Sequence, residues 1–212
     1  MRWLIDTLGT SIGKKLMMAV TGMGFILFLT VHLAGNLTIY GGRDMFNAYA
    51  GHLHSLGPLV NVAELGLLTL ALIHIFTGGF LFYQNWRARP SRYAVNVRAG
   101  GRTLGSATMP YTGLIILAFV VFHLVQFHFT DKTHTTIFEI VATTFNNPLH
   151  VAIYTIVMAI LAIHVSHGFW SLFQTLGANH PKYFPALQIA GIGLSILFAA
   201  GFGFLPIYVA FI

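Results

Sequence analysis

Four histidines inside apolar runs are the residues whose type and spacing point most directly to chemistry. One lies in each of the first four runs: His32, His74, His123 and His164. An ionisable side chain is costly in hydrocarbon, so each of them requires a partner or a task. Two imidazoles that face each other across a four-helix bundle can supply both axial nitrogens of a six-coordinate haem iron. Such a site has no open coordination position and therefore suits electron transfer rather than oxygen binding.

The spacing of these histidines indicates an internal repeat. FLTVHL (28–33) resembles FVVFHL (119–124), and the next intramembrane histidine follows after 42 residues in the first case and 41 in the second. Spans one and two are therefore predicted to form a pair that spans three and four repeat.

Depth divides the four histidines into two tiers. His32 and His123 lie about 25 Å from the predicted inner ends of their helices, whereas His74 and His164 lie about 20 Å from theirs. An outer pair and an inner pair would hold two stacked haems, and these would form an electron path across the membrane.

Small residues on the ligand faces support this interpretation. Gly78 and Gly168 each follow an inner-tier histidine by four residues and share its helix face. Gly35 follows His32 by three residues. A flat macrocycle needs the backbone close to it, so we expect these three glycines to leave room for the haems.

Two other roles for the intramembrane histidines compete with haem ligation. A single buried histidine can join two helices by a hydrogen bond, although four of them in matched tiers argue against this role. A transport path for zinc or copper usually recruits carboxylates, cysteines or methionines as well. Within the spans the one carboxylate is Glu64, and Met17 and Met18 are adjacent rather than on one helix face. The histidines in loops or near span ends are interpreted as interfacial: His52, His54, His128, His134, His150 and His180.

The composition predicts a membrane protein. Of 212 residues, 56% are hydrophobic and 8% are charged, and the mean hydropathy is +0.76. These values are typical of polytopic membrane proteins. No large water-soluble domain fits between the apolar runs, so residues 1–212 are predicted to form one membrane domain. Cysteine is absent, which excludes cysteine-ligated iron–sulfur clusters and thioether-attached haem within this chain.

Five apolar segments are each long enough to cross about 30 Å of hydrocarbon. They lie near 16–40, 60–86, 107–130, 148–176 and 187–211. The predicted fold class is all-α, a polytopic membrane protein with five transmembrane helices, the first four of which form a haem-binding four-helix bundle.

The net charge is +6, and the distribution of the basic residues indicates a membrane topology rather than a nucleic-acid surface. With the N-terminus inside, two basic residues, Arg43 and Lys132, lie outside and nine lie inside, as the positive-inside rule requires. The C-terminus is then outside. The nine inner residues are Arg2, Lys14, Lys15, Arg87, Arg89, Arg92, Arg98, Arg102 and Lys182.

The connections between spans are short and carry helix-boundary signals. Residues 41–58 are predicted to contain a short interfacial helix. Residues 87–102 are predicted to break at Pro90 and at Gly100–Gly101, and Pro148 suits the first turn of the fourth span.

Five stretches, in this order, carry a resemblance to a known family. They are SIGKKLMMAVTG (11–22), VHLAGN (31–36), FNAYAGHLHSL (46–56), HVSHGFWSLFQTLG (164–177) and NHPKY (179–183). The set resembles the five-helix, di-haem cytochrome b anchor of succinate dehydrogenase and fumarate reductase, over nearly the whole chain. The resemblance implies that His32 and His123 ligate the haem distal to the catalytic subunits and that His74 and His164 ligate the proximal one. Depth predicts the same pairing.

The resemblance also implies partners and a location. A flavoprotein subunit would carry the succinate/fumarate chemistry, and an iron–sulfur subunit would connect it to the membrane. Both would dock on the cytoplasmic side of a bacterial cytoplasmic (inner) membrane. The chain would not act on succinate itself but would be the quinone-reacting subunit, with two haem b groups and menaquinone. A dimer of heterotrimers is expected in the lipid bilayer. Nucleic acid is not an expected partner.

Glu64 is the predicted catalytic residue of the quinone pocket. It lies at the outer end of span two, where quinol oxidation must release protons; the alternative is a membrane-boundary carboxylate with no role. His52, His54 and His128 are candidates for the same neighbourhood. Haem propionates need cationic or hydroxyl partners. The candidates are Lys14, Lys15, Arg102 and Ser171 on the inner side and Arg43 on the outer side.

Two positions near the fourth-span ligand refine these expectations. His167 lies about 4.5 Å further along the helix than His164, and is predicted to be a neighbour of the inner haem or a helix-packing group. Some fumarate-reducing members of the family have a glutamate two residues before this ligand, linked to a compensating proton path. That position is Ala162 here, so turnover is expected to stay coupled to the membrane potential.

Two other functions stay open at this point. One is a metal or small-solute transporter with a histidine-lined path, which would bind no haem. The other is a di-haem cytochrome b that serves a hydrogenase or an ascorbate-type partner. The HGFWSLFQTLG stretch and the single histidine per span favour the succinate dehydrogenase anchor.

Overall fold

The computed structural model of the protein describes residues 2–88 and 103–212, and the regular structure within these ranges is helical. Five helices are long and apolar enough to cross a membrane. They are α2 (Ser11–Asn36), α4 (Pro58–Arg87), α5 (Leu104–His123), α7 (Pro148–Thr175) and α8 (Phe184–Val209). The all-α prediction and the five spans are confirmed. Their boundaries lie within five residues of the predicted ones when the turns that continue α2 and α5 are included.

Shorter elements occupy the ends and connections. They are α1 (Arg2–Gly9), α3 (Arg43–Ser55), α6 (Ile137–Phe145), a 3-10 turn that continues α2 (Leu37–Gly41) and a π-helical turn that continues α5 (Leu124–His128). The helix predicted within 41–58 is present as α3, whereas α6 was not predicted. Several predicted features lie outside the described residues: the breaks at Pro90 and Gly100–Gly101, and Arg89, Arg92, Arg98 and Arg102.

Local signals account for the ends of the long helices. Thr10 and Thr103 each accept a hydrogen bond from a backbone N–H in the first turn of α2 and α5. Pro58 and Pro148 stand in the first turns of α4 and α7, where the missing N–H of proline removes no helical hydrogen bond. Gly177, with φ of 83°, adopts the left-handed conformation that terminates α7.

The four helices α2, α4, α5 and α7 form a ring of neighbours, and α8 packs along α7. We call the end that carries Lys14 and Arg87 the inner end, and the end that carries α3 and α6 the outer end. One apolar cluster, with Leu33 and Phe198, joins α2, α7 and α8, and a second, with Tyr154, lies toward the outer end. By contrast, α4 packs mainly on α2 and makes little contact with α5. The apolar core therefore lies on the α7–α8 side of the ring.

A close crossing of α5 and α7 at the inner end depends on Gly105. A Cβ atom built there would lie 2.6 Å from the Cβ of His167 and 3.1 Å from the carbonyl oxygen of Ile163. Real side chains do not tolerate the first distance, so only glycine allows this approach. The crossing brings the facing side chains of α5 and α7 within hydrogen-bond reach.

The outer connections are fastened to each other by polar contacts. Arg43 of α3 pairs with Glu139 of α6 at 2.5 Å, and the backbone N–H of Phe138 donates to the Asn47 side-chain oxygen at 3.1 Å. Hydrogen bonds from the backbone and side chain of Thr136 hold the pKa of Glu139 below its ordinary value, and the Arg43 guanidinium adds to this effect. The carboxylate is therefore ionised at neutral pH and joins α3 to α6.

Candidate functional site

The outer-tier histidines face each other across the bundle. The ring centres of His32 and His123 are 6.0 Å apart, and their planes are nearly perpendicular at 88°. Phe28 stacks on His32 at 5.2 Å, and Phe119 lies against His123 at 6.0 Å. Two imidazoles bound to opposite sides of one metal ion, each with a metal–nitrogen distance of about 2 Å, have ring centres roughly 6 Å apart. The separation of the outer pair matches that requirement.

The inner-tier histidines are each held by a threonine of the preceding span. Nδ1 of His74 lies 2.9 Å from Oγ1 of Thr21, and Nδ1 of His164 lies 3.1 Å from Oγ1 of Thr112. The direct ring-to-ring contact found in the outer tier is replaced here by two hydrogen bonds to α2 and α5.

The two tiers are further apart than the sequence suggested. Thr21 precedes His32 by 11 residues, so the level of the inner pair lies about 16 Å below the outer pair along α2. Counting from predicted helix ends had given a difference of about 5 Å. That count took each helix from its own end and so assumed that the ends are level. The inner ends of α5 and α7 are offset, because Thr103, at the start of α5, lies 3.4 Å from His167, which is about two turns inside the end of α7.

The internal repeat is longer than FLTVHL and FVVFHL. TGMGFILFLTVHL (21–33) and TGLIILAFVVFHL (112–124) share threonine, glycine, phenylalanine and histidine at matching positions, 91 residues apart. A Cβ atom on Gly22 would lie 3.8 Å from Cε1 of His74, and one on Gly113 would lie 3.5 Å from Cε1 of His164. Both inner rings therefore lie against a Thr-Gly pair. Extending the repeat by seven residues would have identified Thr21 and Thr112, which the sequence analysis missed.

Two of the three glycines predicted to leave room for the haems, Gly78 and Gly168, have room beside them. A Cβ atom on Gly168 would meet no atom within 4 Å, and one on Gly78 would meet only the flexible end of Met18, at 3.4 Å. Gly35 differs, because a side chain there would collide with the ring of Tyr49 from α3. The role proposed for Gly35 beside the outer haem is corrected: this glycine admits Tyr49. The facing rings of His32 and His123 fit the axial ligation of one six-coordinate haem. The inner pair supplies two further imidazoles, each placed by a threonine, with room at Gly168.

His167 has the contacts of a helix-packing residue. Its Nδ1 lies 3.4 Å from Oγ1 of Thr103, the residue that caps α5, and its ring meets the ring of Trp170 edge-on at 4.6 Å. Its Cβ is the atom that approaches Gly105. Helix packing is one of the roles predicted for His167, and its environment is distinct from that of His164.

The outer end brings Glu64 together with two of the predicted histidines. Oε1 of Glu64 lies 3.7 Å from Nδ1 of His128, and both side chains are about half exposed. Glu64 and His54 line a cavity of about 460 Å³ at the start of α4, together with Asn61. His52 is exposed on α3 and does not line this cavity. The arrangement offers a carboxylate, two imidazoles and an amide to a polar group that enters from the membrane boundary.

A chain of hydrogen bonds leads from the outer tier toward α6. The phenol of Tyr154 lies 3.4 Å from Nδ1 of His123 and donates to the Gln126 side-chain oxygen at 2.7 Å. The Gln126 amide nitrogen lies 3.3 Å from the ring of His150, whose Nδ1 is 3.0 Å from the Thr144 carbonyl oxygen. Gln126 reaches these partners from the π-helical turn, which rotates the residues after His123 relative to an α-helix. His150, interpreted from sequence as an interfacial residue, belongs to this chain of hydrogen bonds.

The predicted propionate partners have different surroundings. Arg43 pairs with Glu139, and its role as a propionate partner of the outer haem stays a prediction. Lys14 lies 4.7 Å above the ring of Phe80 at the inner end. Lys15 follows in the same turn of α2, Ser171 lies in the last two turns of α7, and Arg102 is outside the described residues.

Comparisons of the chain with family models, with curated proteins and with solved structures gave no match. The class of protein is therefore defined by the chain's own fold. It is a multi-pass membrane protein that is helical over residues 2–88 and 103–212, with five helices in these ranges able to span the bilayer.

Proposed function

We propose that this chain is the membrane-anchor cytochrome b subunit of a succinate:quinone oxidoreductase. It carries electrons between menaquinone and an iron–sulfur subunit through two bis-histidine haems b. The observation that carries the proposal is the facing pair of His32 and His123, 6.0 Å apart, with a second histidine pair about 16 Å below it. The five stretches that resemble the di-haem anchor family support the same function.

The protein's own residues would place and insulate the two haems. His32 and His123 would hold the outer haem, and His74 and His164 the inner one. A haem supplies one-electron redox chemistry when bound, and the chain supplies ligation, orientation and electrostatics. Phe28 and the other aromatic rings around the outer pair exclude water from that tier.

The outer cavity is the proposed quinone site. Glu64 would accept a proton when a quinol is oxidised there, and His128, 3.7 Å away, would pass or share it. The cavity lies at the end of the bundle that carries the outer tier, so an electron would enter the outer haem first. A carboxylate at the membrane boundary also has a route to release the proton to water.

The partner subunits are proposed to dock at the inner end. Lys14, Lys15 and Arg87 lie there, and the positive-inside rule makes this end cytoplasmic. An iron–sulfur subunit would then exchange electrons with the inner haem, and a flavoprotein subunit would carry the succinate/fumarate chemistry. The complex is proposed to assemble as a dimer of heterotrimers in a bacterial cytoplasmic membrane.

An optical spectrum of the purified complex tests this proposal. Reduced-haem bands from about two haems per chain, with a flavoprotein and an iron–sulfur subunit co-purifying, are the expected result. A haem-free chain that transports a metal or a small solute would reject the proposal. Two haems with a different redox partner, such as a hydrogenase, would keep the cytochrome and reject the succinate:quinone assignment.

A further inference from the structure

Three of the four proposed haem ligands direct Nδ1 at a hydroxyl oxygen. The pairs are His74 with Thr21 at 2.9 Å, His164 with Thr112 at 3.1 Å and His123 with Tyr154 at 3.4 Å. The two threonine pairs are the shorter ones and occupy matching positions of the repeat. Each inner-tier histidine therefore has the same kind of partner, a threonine of the preceding span.

The hydroxyl proton of each threonine is committed to a backbone carbonyl. Thr21 donates to the Met17 oxygen at 2.7 Å, and Thr112 shares its proton between the Thr108 and Met109 oxygens, each at 3.1 Å. A hydroxyl has one proton and two acceptor lone pairs. With the proton used inside its own helix, each threonine oxygen can only accept a hydrogen bond from the facing imidazole. Nδ1 of that imidazole must then carry the hydrogen.

A neutral imidazole protonated at Nδ1 has its free lone pair on Nε2. We propose that Thr21 and Thr112 are positioning residues that hold His74 and His164 in this tautomer, so that both Nε2 atoms are presented to one metal centre, the iron of the inner haem. The inference deepens the proposed function and rests on it. The fixed hydrogen bond also sets the rotation of each ring, because the oxygen that accepts it belongs to a neighbouring helix.

The paired threonines are confined to the inner tier. In the outer tier His123 has the more distant Tyr154 hydroxyl, at 3.4 Å, and His32 has no hydroxyl partner among the described residues. His32 is accompanied by the Asn36 amide, whose nitrogen donates to the His32 carbonyl oxygen at 2.8 Å and lies 3.5 Å from both ring nitrogens. No single orientation of that ring is selected by these equal distances. Loss of either threonine hydroxyl should therefore affect the inner haem and leave the outer one unchanged.

The expected effects follow from the chemistry of the Nδ1–H bond. A hydrogen bond donated by Nδ1–H makes Nε2 a stronger base, and a stronger base favours the oxidised iron. Removing the acceptor should raise the midpoint potential of the inner haem. Loss of such an outer partner typically weakens metal binding by about 10- to 100-fold, so release of the inner haem to an apoprotein acceptor should accelerate by a similar factor.

The test uses the purified complex and matched threonine variants. Thr21→Val and Thr112→Val keep the side-chain shape and remove the hydroxyl, whereas Thr21→Ser and Thr112→Ser keep the hydroxyl. Thr30→Val is the control, because Thr30 lies on α2 and donates to the Ile26 carbonyl oxygen at 2.8 Å without a histidine partner. Redox titration gives the potential of each haem, and transfer to apomyoglobin gives the release rate.

We expect both valine variants to raise the inner potential and accelerate inner-haem release, with the serine variants close to wild type and Thr30→Val unchanged. Two haems with wild-type potentials and release rates in both valine variants would overturn the inference, as would equal effects of Thr30→Val. A wild-type complex without haem would instead overturn the proposed function.

A second measurement does not depend on the folding of any variant. Nitrogen-15 ring shifts of His74 and His164 in the wild-type chain should report a protonated Nδ1 and an Nε2 without hydrogen. The opposite tautomer at both histidines would overturn the inference.

Discussion

His164 and His167 are three residues apart on α7, yet they have different neighbours. The ring of His164 reaches Thr112 within the neighbouring span α5, while the ring of His167 lies between Trp170 and the cap of α5. A ligand must present a lone pair to the interior. Both rings have a threonine partner on α5, but the partner of His164 lies inside the span, whereas the partner of His167 is the cap residue at its inner end. Residue type is therefore less informative here than the atom that each imidazole faces.

Replacing these two histidines by alanine separates a ligand from a packing residue. His164→Ala should remove one axial nitrogen and reduce the haem content from two per chain to one. His167→Ala should keep two haems, with at most a shifted inner spectrum. The measurement is haem per chain by pyridine haemochrome assay. Loss of the inner haem in His167→Ala but not in His164→Ala would show that the ligand assignment is wrong.

Glu64 is the residue on which the proposed quinone site depends. Glu64→Gln keeps the shape of the side chain and removes its capacity to accept a proton. Quinol-linked fumarate reduction should fall by about 10²- to 10⁴-fold, the usual contribution of a general base. Haem content should stay at the wild-type value.

His134→Gln is a matched control for this prediction, because His134 is exposed in the connection before α6 and does not line the Glu64 cavity. Quinol oxidation at the wild-type rate in Glu64→Gln would remove this carboxylate from the mechanism. Glu64 would then be an ordinary boundary residue.

At the scale of elements, α6 depends on its capping box. Thr136 accepts a hydrogen bond from the Glu139 backbone N–H, and Glu139 accepts one from the backbone N–H of Thr136. Thr136→Ala removes the first bond and should destabilise the helix by about 1 kcal/mol. Hydrogen exchange of the α6 amides should then become roughly fivefold faster. Thr135→Ala, one residue earlier and outside the cap, should leave exchange unchanged.

The pH dependence of α6 follows from the lowered pKa of Glu139. Because the folded pKa lies below the unfolded value of about 4.3, the carboxylate stabilises the helix at and above that pH. The stabilisation is lost as the pH falls through the lowered folded pKa. Glu139→Gln should accelerate α6 exchange at pH 7, and the difference from wild type should disappear in acid. A difference that persists below the folded pKa would contradict this origin.

The long helices were predictable and α6 was not, for a physical reason. A span must cover about 30 Å of hydrocarbon, so its length and hydropathy are constrained along the sequence itself. Residues 137–145 form only nine residues of helix, which no such constraint marks. The signal that was present is the cap, Thr136 followed three residues later by Glu139.

At the scale of the whole molecule, the position two residues before His164 is Ala162, whose methyl side chain cannot carry a proton. An electron that moves between the two proposed haems would therefore cross part of the membrane without a compensating proton at this position. Each charge moved across the full potential changes the free energy by about 2.3 kcal/mol per 100 mV. Turnover should depend on the potential.

Liposomes that contain the purified complex measure this dependence. With the inner end facing the negative side, succinate oxidation by menaquinone should slow when an ionophore collapses the potential, because the negative interior drives electrons outward. Succinate oxidation by a soluble acceptor at the flavoprotein should not change. Quinone reduction that is indifferent to the collapsed potential would contradict electron transfer across the two tiers without a proton.

The inner-tier threonines show where single-sequence reasoning ends. Thr21 and Thr112 both donate to carbonyls of their own helices, which is ordinary behaviour for threonine in a transmembrane helix. Their second contact, to a histidine of another span, depends on the relative height of two helices. That offset is set by packing such as the crossing at Gly105. The longer repeat marks Thr21 and Thr112 as matching positions, but it does not show that His74 and His164 are their partners. The histidines could be predicted because a buried imidazole is unusual in itself.

The sparse contact between α4 and α5 has a thermodynamic consequence. Because α4 packs mainly on α2, it gains little stability from contacts with α5. A group ligated by His74 and His164 would connect α4 to α7 directly, and its binding free energy would add to the stability of the closed ring. Iron and porphyrin supply would then control how long the chain survives proteolysis, in addition to how fast it conducts electrons.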